Sequence, residues 1–263
     1  GRGRLRIELE GPDCPLLAAP EELAGLAGLM EAPMRLEDQD GDHLTLIQQE
    51  PLMAVAGIAA RKKDGETVSG DAGTYFKRGD GTLYVLLCDG MGSGPQANRE
   101  SSLALRLLEQ FLQAGVETEH ALVTLNSALA LRGEEAGGFT TVDLLQVDLF
   151  TGDGVVFKLG AAPTYVRKGG TVRRISGASL PAGLAAEERS APDRFPIHLS
   201  PGDCVLLVSD GVTGTEDDSW LRERLVKFDQ GSPKELARDL ITHSPQGATD
   251  DSTALVIRLE KRE

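Results

Sequence analysis

Two stretches of the chain repeat one pattern, a mostly apolar run that ends in an aspartate and a glycine. Tyr84-Val85-Leu86-Leu87-Cys88 leads into Asp89-Gly90, and Val205-Leu206-Leu207-Val208-Ser209 leads into Asp210-Gly211. Asp71, in Ser69-Gly70-Asp71, and the pair Asp250-Asp251 add two further acidic points. If central strands bring these ends together, four carboxylates converge. Each ionised pair at ~4 Å repels by about 4 kcal/mol at an effective dielectric of about 20. Such a cluster calls for protonation or bound cations, and hard divalent ions that favour oxygen, Mg²⁺ or Mn²⁺, answer it. The four histidines, His43, His120, His198 and His243, stand at no ligand spacing, and Cys14, Cys88 and Cys204 form no pair, which argues against zinc. An Asp-Gly after a strand is ordinarily only a turn. From residue types alone, a shared ion site and two unrelated turns are evenly matched.

Gly90-Met91-Gly92-Ser93-Gly94 has the look of a nucleotide loop but not its chemistry. A P-loop needs Gly-Lys-Ser/Thr, and no lysine lies between Lys77 and Lys158; the dinucleotide fingerprint needs a glycine where Pro95 stands. The glycines still let backbone amides approach an ion or phosphate at the start of the following helix. Asp40-Gly41-Asp42 lacks the glutamate that closes a calcium loop and reads as an exposed turn.

The elements that must position these residues can be read from periodicity. Arg4 to Glu10 alternates as a half-buried strand, Leu16–Met30 suits a helix, and Leu44–Gln48 suits a strand, so residues 1–50 form a small N-terminal α+β segment. Beyond it, residues 51–263 read as the main domain. Strands are expected at Met53–Ala60, Leu83–Cys88, Thr141–Leu149, Val155–Leu159, Tyr165–Arg167, Val172–Ile175, Cys204–Ser209 and Thr253–Leu259. Leu103, Leu107 and Phe111 mark a helix over Ala97–Leu112, and Leu122, Leu125 and Leu129 mark a second. Ser232-Pro233-Lys234-Glu235 reads as a capping box that opens a third. Ser176–Pro196, rich in Gly, Ala, Ser and Pro, reads as a long surface loop. Strand runs broken by paired helices favour an α+β layered architecture with mostly antiparallel sheets.

The 263 residues, 40% of them hydrophobic, suffice for one large domain with a proper core. A formal net charge of −14 argues against a nucleic-acid surface. Cys88 and Cys204 lie in apolar runs and read as buried hydrophobes in a reducing setting. No apolar stretch approaches the ~20 residues that span a bilayer. The chain opens at Gly1 without a methionine, and the expectation is a piece of something longer.

Taken in order, these motifs resemble the metal-dependent serine/threonine protein phosphatases (the PPM, or type-2C, family), and most closely its bacterial sporulation branch, the stage II sporulation phosphatase E. The matching stretches are Val68-Ser69-Gly70-Asp71, Cys88 to Gly94, Arg99-Glu100-Ser101, Thr140 to Leu144, Leu180-Pro181-Ala182-Gly183, Val208-Ser209-Asp210-Gly211 and Asp250-Asp251-Ser252-Thr253, over roughly residues 51–259.

The resemblance implies a sandwich of two antiparallel β-sheets flanked by helices. It implies two Mn²⁺ or Mg²⁺ ions bridged by Asp89, with the Gly90 carbonyl, Asp210 and Asp250 as further ligands and Asp71 near the metals. Asp89, Asp210 and Asp250 would be the catalytic set, Asp251 would stand behind them, and a metal-bridging water would attack phosphorus. It further implies, as substrate, a phosphoserine or phosphothreonine on a regulatory protein, namely a phosphorylated anti-sigma-factor antagonist in sporulation signalling. Self-association and contact with the division machinery are also implied. So is a cytoplasmic location, in a membrane-anchored protein whose spanning segment is absent from this sequence, with residues 1–50 the end of a regulatory region. Two departures stand out: Met91 occupies the place of a histidine in many relatives, and no arginine lies beside Asp71.

Overall fold

A computed structural model describes residues 4–131, 138–184, 191–214, 217–228 and 231–262. The chain divides into two compact units, Gly1–Met53 with Lys261–Glu263, and Ala54–Glu260. In the first, β1 (Arg6–Glu10), a 3-10 turn (Cys14–Ala18), α1 (Pro20–Met30), β2 (Met34–Asp40) and β3 (His43–Gln48) follow in order. The strands form an antiparallel sheet ordered β1-β3-β2. Met34, Leu44 and Leu46 form its small core against residues such as Leu23 and Leu26 of α1. The helix expected over Leu16–Met30 is split, because Pro20 cannot donate into a continuing helix and instead starts α1 at its first position. The turn expected at Asp40-Gly41-Asp42 starts within β2, a strand that was not expected, since Asp40 still pairs with His43.

The second unit carries β4 (Leu52–Arg61), β5 (Asp71–Lys77), β6 (Thr82–Gly90), α2 (Gly94–Gln113), α3 (Thr118–Leu131), β7 (Thr140–Asp148), β8 (Asp153–Leu159), β9 (Thr164–Lys168), β10 (Thr171–Ile175), β11 (Asp193–His198), β12 (Cys204–Val208), α4 (Asp210–Thr213), α5 (Ser219–Lys227), α6 (Pro233–Thr242) and β13 (Ser252–Lys261). Two five-stranded sheets result, ordered β10-β9-β12-β13-β4 and β11-β8-β7-β6-β5, and the strand pairs β5·β6, β6·β7, β7·β8, β8·β11, β9·β10, β9·β12 and β12·β13 are antiparallel.

Side-chain alternation decides which face each strand gives to which layer. Tyr84, Leu86 and Cys88 of β6 face outward into a core with Leu108 and Leu112 of α2 and Leu122 and Leu125 of α3. Leu206 and Val208 of β12 face the other way, against Leu221 and Leu225 of α5 and Leu236 and Leu240 of α6. The intervening residues, among them Val85, Leu87, Val205 and Leu207, are just as buried. The inner faces meet: a side chain at Gly73 of β5 would lie 3.0 Å from Leu255 of β13 and 3.4 Å from Ile58 of β4. The fold is thus a sandwich of two antiparallel sheets flanked by helices, as expected.

One charged pair is sealed into this unit. Lys158 of β8 donates to Asp143 of β7 at 2.9 Å and to the Ala162 carbonyl at 2.6 Å; the Thr164 hydroxyl donates to Asp143 at 2.5 Å. Both Lys158 and Asp143 are essentially inaccessible to solvent.

Three expectations need correction. Ser176–Pro196 is not a loop throughout: β11 begins at Asp193 and pairs with β8 at the sheet margin. Pro196 obscured that strand in the sequence, yet an edge strand tolerates proline on its unpaired side. Residues 185–190 of the same stretch lie outside the described residues. The helix after Ser232 forms, but the Ser232 side chain makes no capping bond; only its carbonyl is engaged, by the amides of Glu235 (2.9 Å) and Leu236 (3.1 Å). The expected strand pattern also omits β5, whose Ala-Gly-Thr start lacks an apolar run, and the short helix α5.

Candidate active site

Each sheet delivers part of one acidic cluster. In the β5·β6 register Asp71 stands directly opposite Asp89. In the other sheet Ser209 and Thr253 tie the ends of β12 and β13 together. The Ser209 amide donates to the Thr253 carbonyl at 3.0 Å and the Thr253 amide to the Ser209 hydroxyl at 2.8 Å. Asp210, next after Ser209, and Asp250, three residues before Thr253, are thereby brought near one another.

Glycine permits this crowding at two points. A Cβ on Gly90 would fall 2.2 Å from the Ala97 carbonyl oxygen, so only glycine lets the end of β6 meet α2. A Cβ on Gly211 would fall 1.9 Å from the Asp251 carbonyl oxygen, so only glycine lets α4 lie against the approach to β13. Thr140 and Thr141 steady the middle: the Thr140 hydroxyl donates to the Asp89 carbonyl at 2.8 Å, and the Asp89 amide donates to the Thr141 hydroxyl at 3.3 Å.

Asp251 has a different task from its neighbour. Its carboxylate accepts the Lys63 amide at 2.9 Å and the Gly70 amide at 2.8 Å. It therefore pins the segment between β4 and β5 to the acidic end of the sandwich, and both its oxygens are used in doing so.

The electrostatics register the convergence. Burial pushes the Asp89 carboxyl up to about 9, and the charges of Asp71, Asp210 and Asp250 add to the rise. Burial likewise raises Asp71 to about 6, although Thr253, Ser209 and Asp89 nearby favour its charged form. None of these neighbours stands in hydrogen-bonding geometry: both buried Asp71 oxygens, and the Thr253 hydroxyl, lack a partner. Asp210 is raised by burial first and by Asp250 second. A buried carboxylate with two unpartnered oxygens, beside a second that burial and then its acidic neighbours hold protonated, is a donor set that cations fit. Among the described residues no three acidic, histidine or cysteine side chains close on a single point as a finished cage. Ions such as Mg²⁺ keep several of their own waters and take only one or two carboxylates each.

A cleft of about 310 Å³ opens onto the cluster, lined by Lys63, Asp89, Gly90, Met91, Gly92, Phe139, Thr141, Asp210 and Asp250. Of the residues singled out by sequence, it receives Asp89, Gly90, Asp210 and Asp250; Asp71 does not line it and sits behind Asp89. A larger open groove of about 570 Å³ runs along α5 between Val172 and Lys227 and contains none of the acidic cluster. Lys63 and Phe139 were not anticipated, and Thr141 entered only as part of an expected strand and of the matching Thr140 to Leu144 stretch. The basic run Arg61-Lys62-Lys63 straight after a strand was the available signal for Lys63, the one cationic side chain among the lining residues.

With that geometry in hand, comparison with known proteins gives a direct answer. The model of the stage II sporulation protein E (SpoIIE) family matches residues 79–260. This chain belongs to the SpoIIE family. It is 30% identical over 213 residues to stage II sporulation protein E of Priestia megaterium, covering 78% of this chain and 36% of that protein, so it spans little more than a third of that SpoIIE relative. Among solved structures it resembles the PP2C phosphatase domain of Bacillus subtilis SpoIIE with a fragment of its regulatory domain. The TM-score is 0.79 at 25% identity, over 100% of this chain and 80% of that one. RsbX, solved in complex with magnesium, shares the fold at a TM-score of 0.63 and 19% identity, over 86% of this chain and 100% of that one. The SpoIIE-family chain therefore carries a serine/threonine phosphatase domain of the PP2C class.

Proposed function

We propose that this chain hydrolyses phosphoserine or phosphothreonine on a regulatory protein, in a divalent-metal-dependent reaction centred on Asp89, Asp210 and Asp250. The observation that carries the reading is the meeting of mutually repelling carboxyls from both sheets: Asp89, Asp210 and Asp250 line one cleft, and Asp71 stands opposite Asp89 with both oxygens unpartnered. A protein accepts such repulsion where a cation is to be held. Asp71, Asp89, the Gly90 carbonyl, Asp210 and Asp250 would hold two Mn²⁺ or Mg²⁺ ions, which would supply charge to acidify water and to offset the charge growing on the phosphoryl oxygens.

The chain's own residues do the rest. Thr140 and Thr141 fix the backbone that presents Asp89, and Asp251 holds the Lys63 segment in place through two amides. Lys63 meets a phosphoryl oxygen from the side of the cleft. Met91 and Phe139 wall the cleft with apolar surface that displaces water around the reacting group. The bond from phosphorus to the seryl oxygen breaks as the bond from the water oxygen forms. Met91 has no proton to give, so the leaving oxygen takes its proton from water.

The substrate that best fits the family is a phosphorylated anti-sigma-factor antagonist. Residues 1–50 then serve as the end of a regulatory region in a larger, membrane-anchored protein that self-associates and meets the division machinery. Among the described residues no helix is long and apolar enough to cross a membrane.

Phosphate release from a phosphoserine protein should rise from background to multiple turnovers on adding Mn²⁺, and EDTA should abolish it. Turnover that is indifferent to both would sink the reading. Lys63→Met should raise KM for the phosphoprotein about tenfold, about 1.4 kcal/mol, and change kcat less. Steady-state kinetics that leave KM at its parent value would remove Lys63 from substrate binding.

A further inference from the structure

The segment between β4 and β5 makes a tight turn whose first residue, Lys63, lines the acidic cleft. The Glu66 amide donates to the Lys63 carbonyl at 3.2 Å and closes Lys63-Asp64-Gly65-Glu66 into that turn. Gly65 stands in it at a φ of +87°, a conformation that other residues rarely adopt. On one side the Lys63 amide is held by the Asp251 carboxylate at 2.9 Å, and the Asp64 amide donates to the Ala248 carbonyl at 2.9 Å. Both bonds run to a single stretch of chain, the one that presents Asp250. Alone they make a hinge and not a clamp.

The Glu66 side chain supplies the second fixed point. The Ser93 hydroxyl donates to one of its carboxylate oxygens at 3.2 Å, and a Cβ on Gly94 would lie 2.2 Å from the other. The carboxylate therefore rests against bare backbone where α2 begins. That is the positive end of a 20-residue helix with no acidic residue in its first turn and no capping bond from the Ser93 side chain. Glu66 brings to it, from another part of the chain, the negative charge it lacks. Just before this helix start, Gly90, Met91 and Gly92 line the cleft. The turn thus bridges the stretch that presents Asp250 and the stretch that follows Asp89, with Lys63 between them.

We infer that Glu66 is a positioning residue: by fastening the turn to Ser93 and Gly94 it aims the Lys63 ammonium at the phosphoryl group in the cleft. The inference rests on the phosphatase reading above, and on its role for Lys63, and adds what holds that lysine in place. A lysine reaches out on a flexible four-carbon stem, so a backbone free to pivot spreads its ammonium over many positions. Pinning the turn from both sides removes that freedom before substrate arrives, which favours binding.

The test compares the parent with Glu66→Ala, Glu66→Gln, Lys63→Met and the double variant Glu66→Ala with Lys63→Met. Mn²⁺-dependent kinetics are measured on the phosphorylated antagonist proposed above and on p-nitrophenyl phosphate, which shares with it only the phosphoryl group. Amide exchange at Asp64 and Glu66 is followed in EDTA. For Glu66→Ala the expected result is a KM raised about fivefold on both substrates, kcat changed less than about twofold, and faster exchange at both amides. Glu66→Gln keeps the acceptor for Ser93 and stays within about twofold of the parent. In the Lys63→Met background Glu66→Ala raises KM no further, a non-additivity that general support of the fold does not produce. A parent-like KM for Glu66→Ala beside a raised KM for Lys63→Met would overturn the inference alone. So would a rise on the protein substrate only, or additive effects in the double variant. A parent-like KM for Lys63→Met would remove that lysine from substrate binding and this inference with it, leaving metal-dependent turnover standing. A parent that hydrolyses neither substrate would overturn the phosphatase reading as well.

Discussion

Asp89→Asn is expected to cut Mn²⁺-stimulated phosphate release by on the order of a thousandfold while making the chelated protein more stable. Both effects follow from its place between Asp71 and Asp210. The amide cannot supply the charge that holds a cation, so activity goes and so does the rise in melting temperature on adding Mn²⁺. In EDTA the same change removes a repelled carboxyl. Its folded pKa, about 9, stands above the ~3.9 of an unfolded aspartate. Between those values the folded state holds more protons than the unfolded one, so stability falls as pH climbs from about 4 to about 9. The carboxamide of the variant has no proton to lose and escapes this contribution. Thermal unfolding in EDTA across that range should show a flatter profile for the variant and a higher melting temperature at pH 8. Equal profiles would mean that the carboxylates are not in electrostatic contact.

Lys158→Met should be the most damaging single change away from the cleft. Asp143 sits fully buried with one oxygen already unpartnered, and the ammonium at 2.9 Å is its compensating charge. Removing one member of a buried pair leaves an uncompensated ion and costs about 3–5 kcal/mol, a fall of roughly 10 °C in melting temperature for a domain this size. The Thr164 hydroxyl alone does not replace a full charge. Lys158→Met combined with Asp143→Leu should recover most of the loss, because well-packed apolar groups tolerate that interior as well as the ion pair does. Urea unfolding of the single and double variants separates the cases; a single variant as stable as the parent would mean that water already reaches Asp143.

The sequence makes the strand ends legible because burial and charge change abruptly there. Five mostly apolar residues followed by Asp-Gly can only be a buried strand surfacing at its end, and both such strands, β6 and β12, are where they were expected. β11 escaped because Pro196 breaks its alternation, and β5 because its start is small and polar, as an edge strand can afford to be. The Ser232 capping box failed because sequence records only that a side chain could bond. That Asp89 and Asp210 meet could not be read from residue types, since they lie on different sheets and are joined by packing alone. Lys63 shows the same limit: its place in the cleft depends on Asp251 gripping its amide from the far end of the chain.

The division of the acidic cluster between two layers has a mechanical consequence. Asp71 and Asp89 belong to one sheet, Asp210 and Asp250 to the ends of the other, so whatever neutralises them fastens the layers like a rivet. Resistance to unfolding then becomes a gauge of the surroundings: at a free ion concentration a hundred times the dissociation constant the gain is about 2.7 kcal/mol, and in depleted medium it vanishes. Amide exchange near Thr140 and Ser209 would slow and quicken with the supply of ions, before any phosphoprotein arrived.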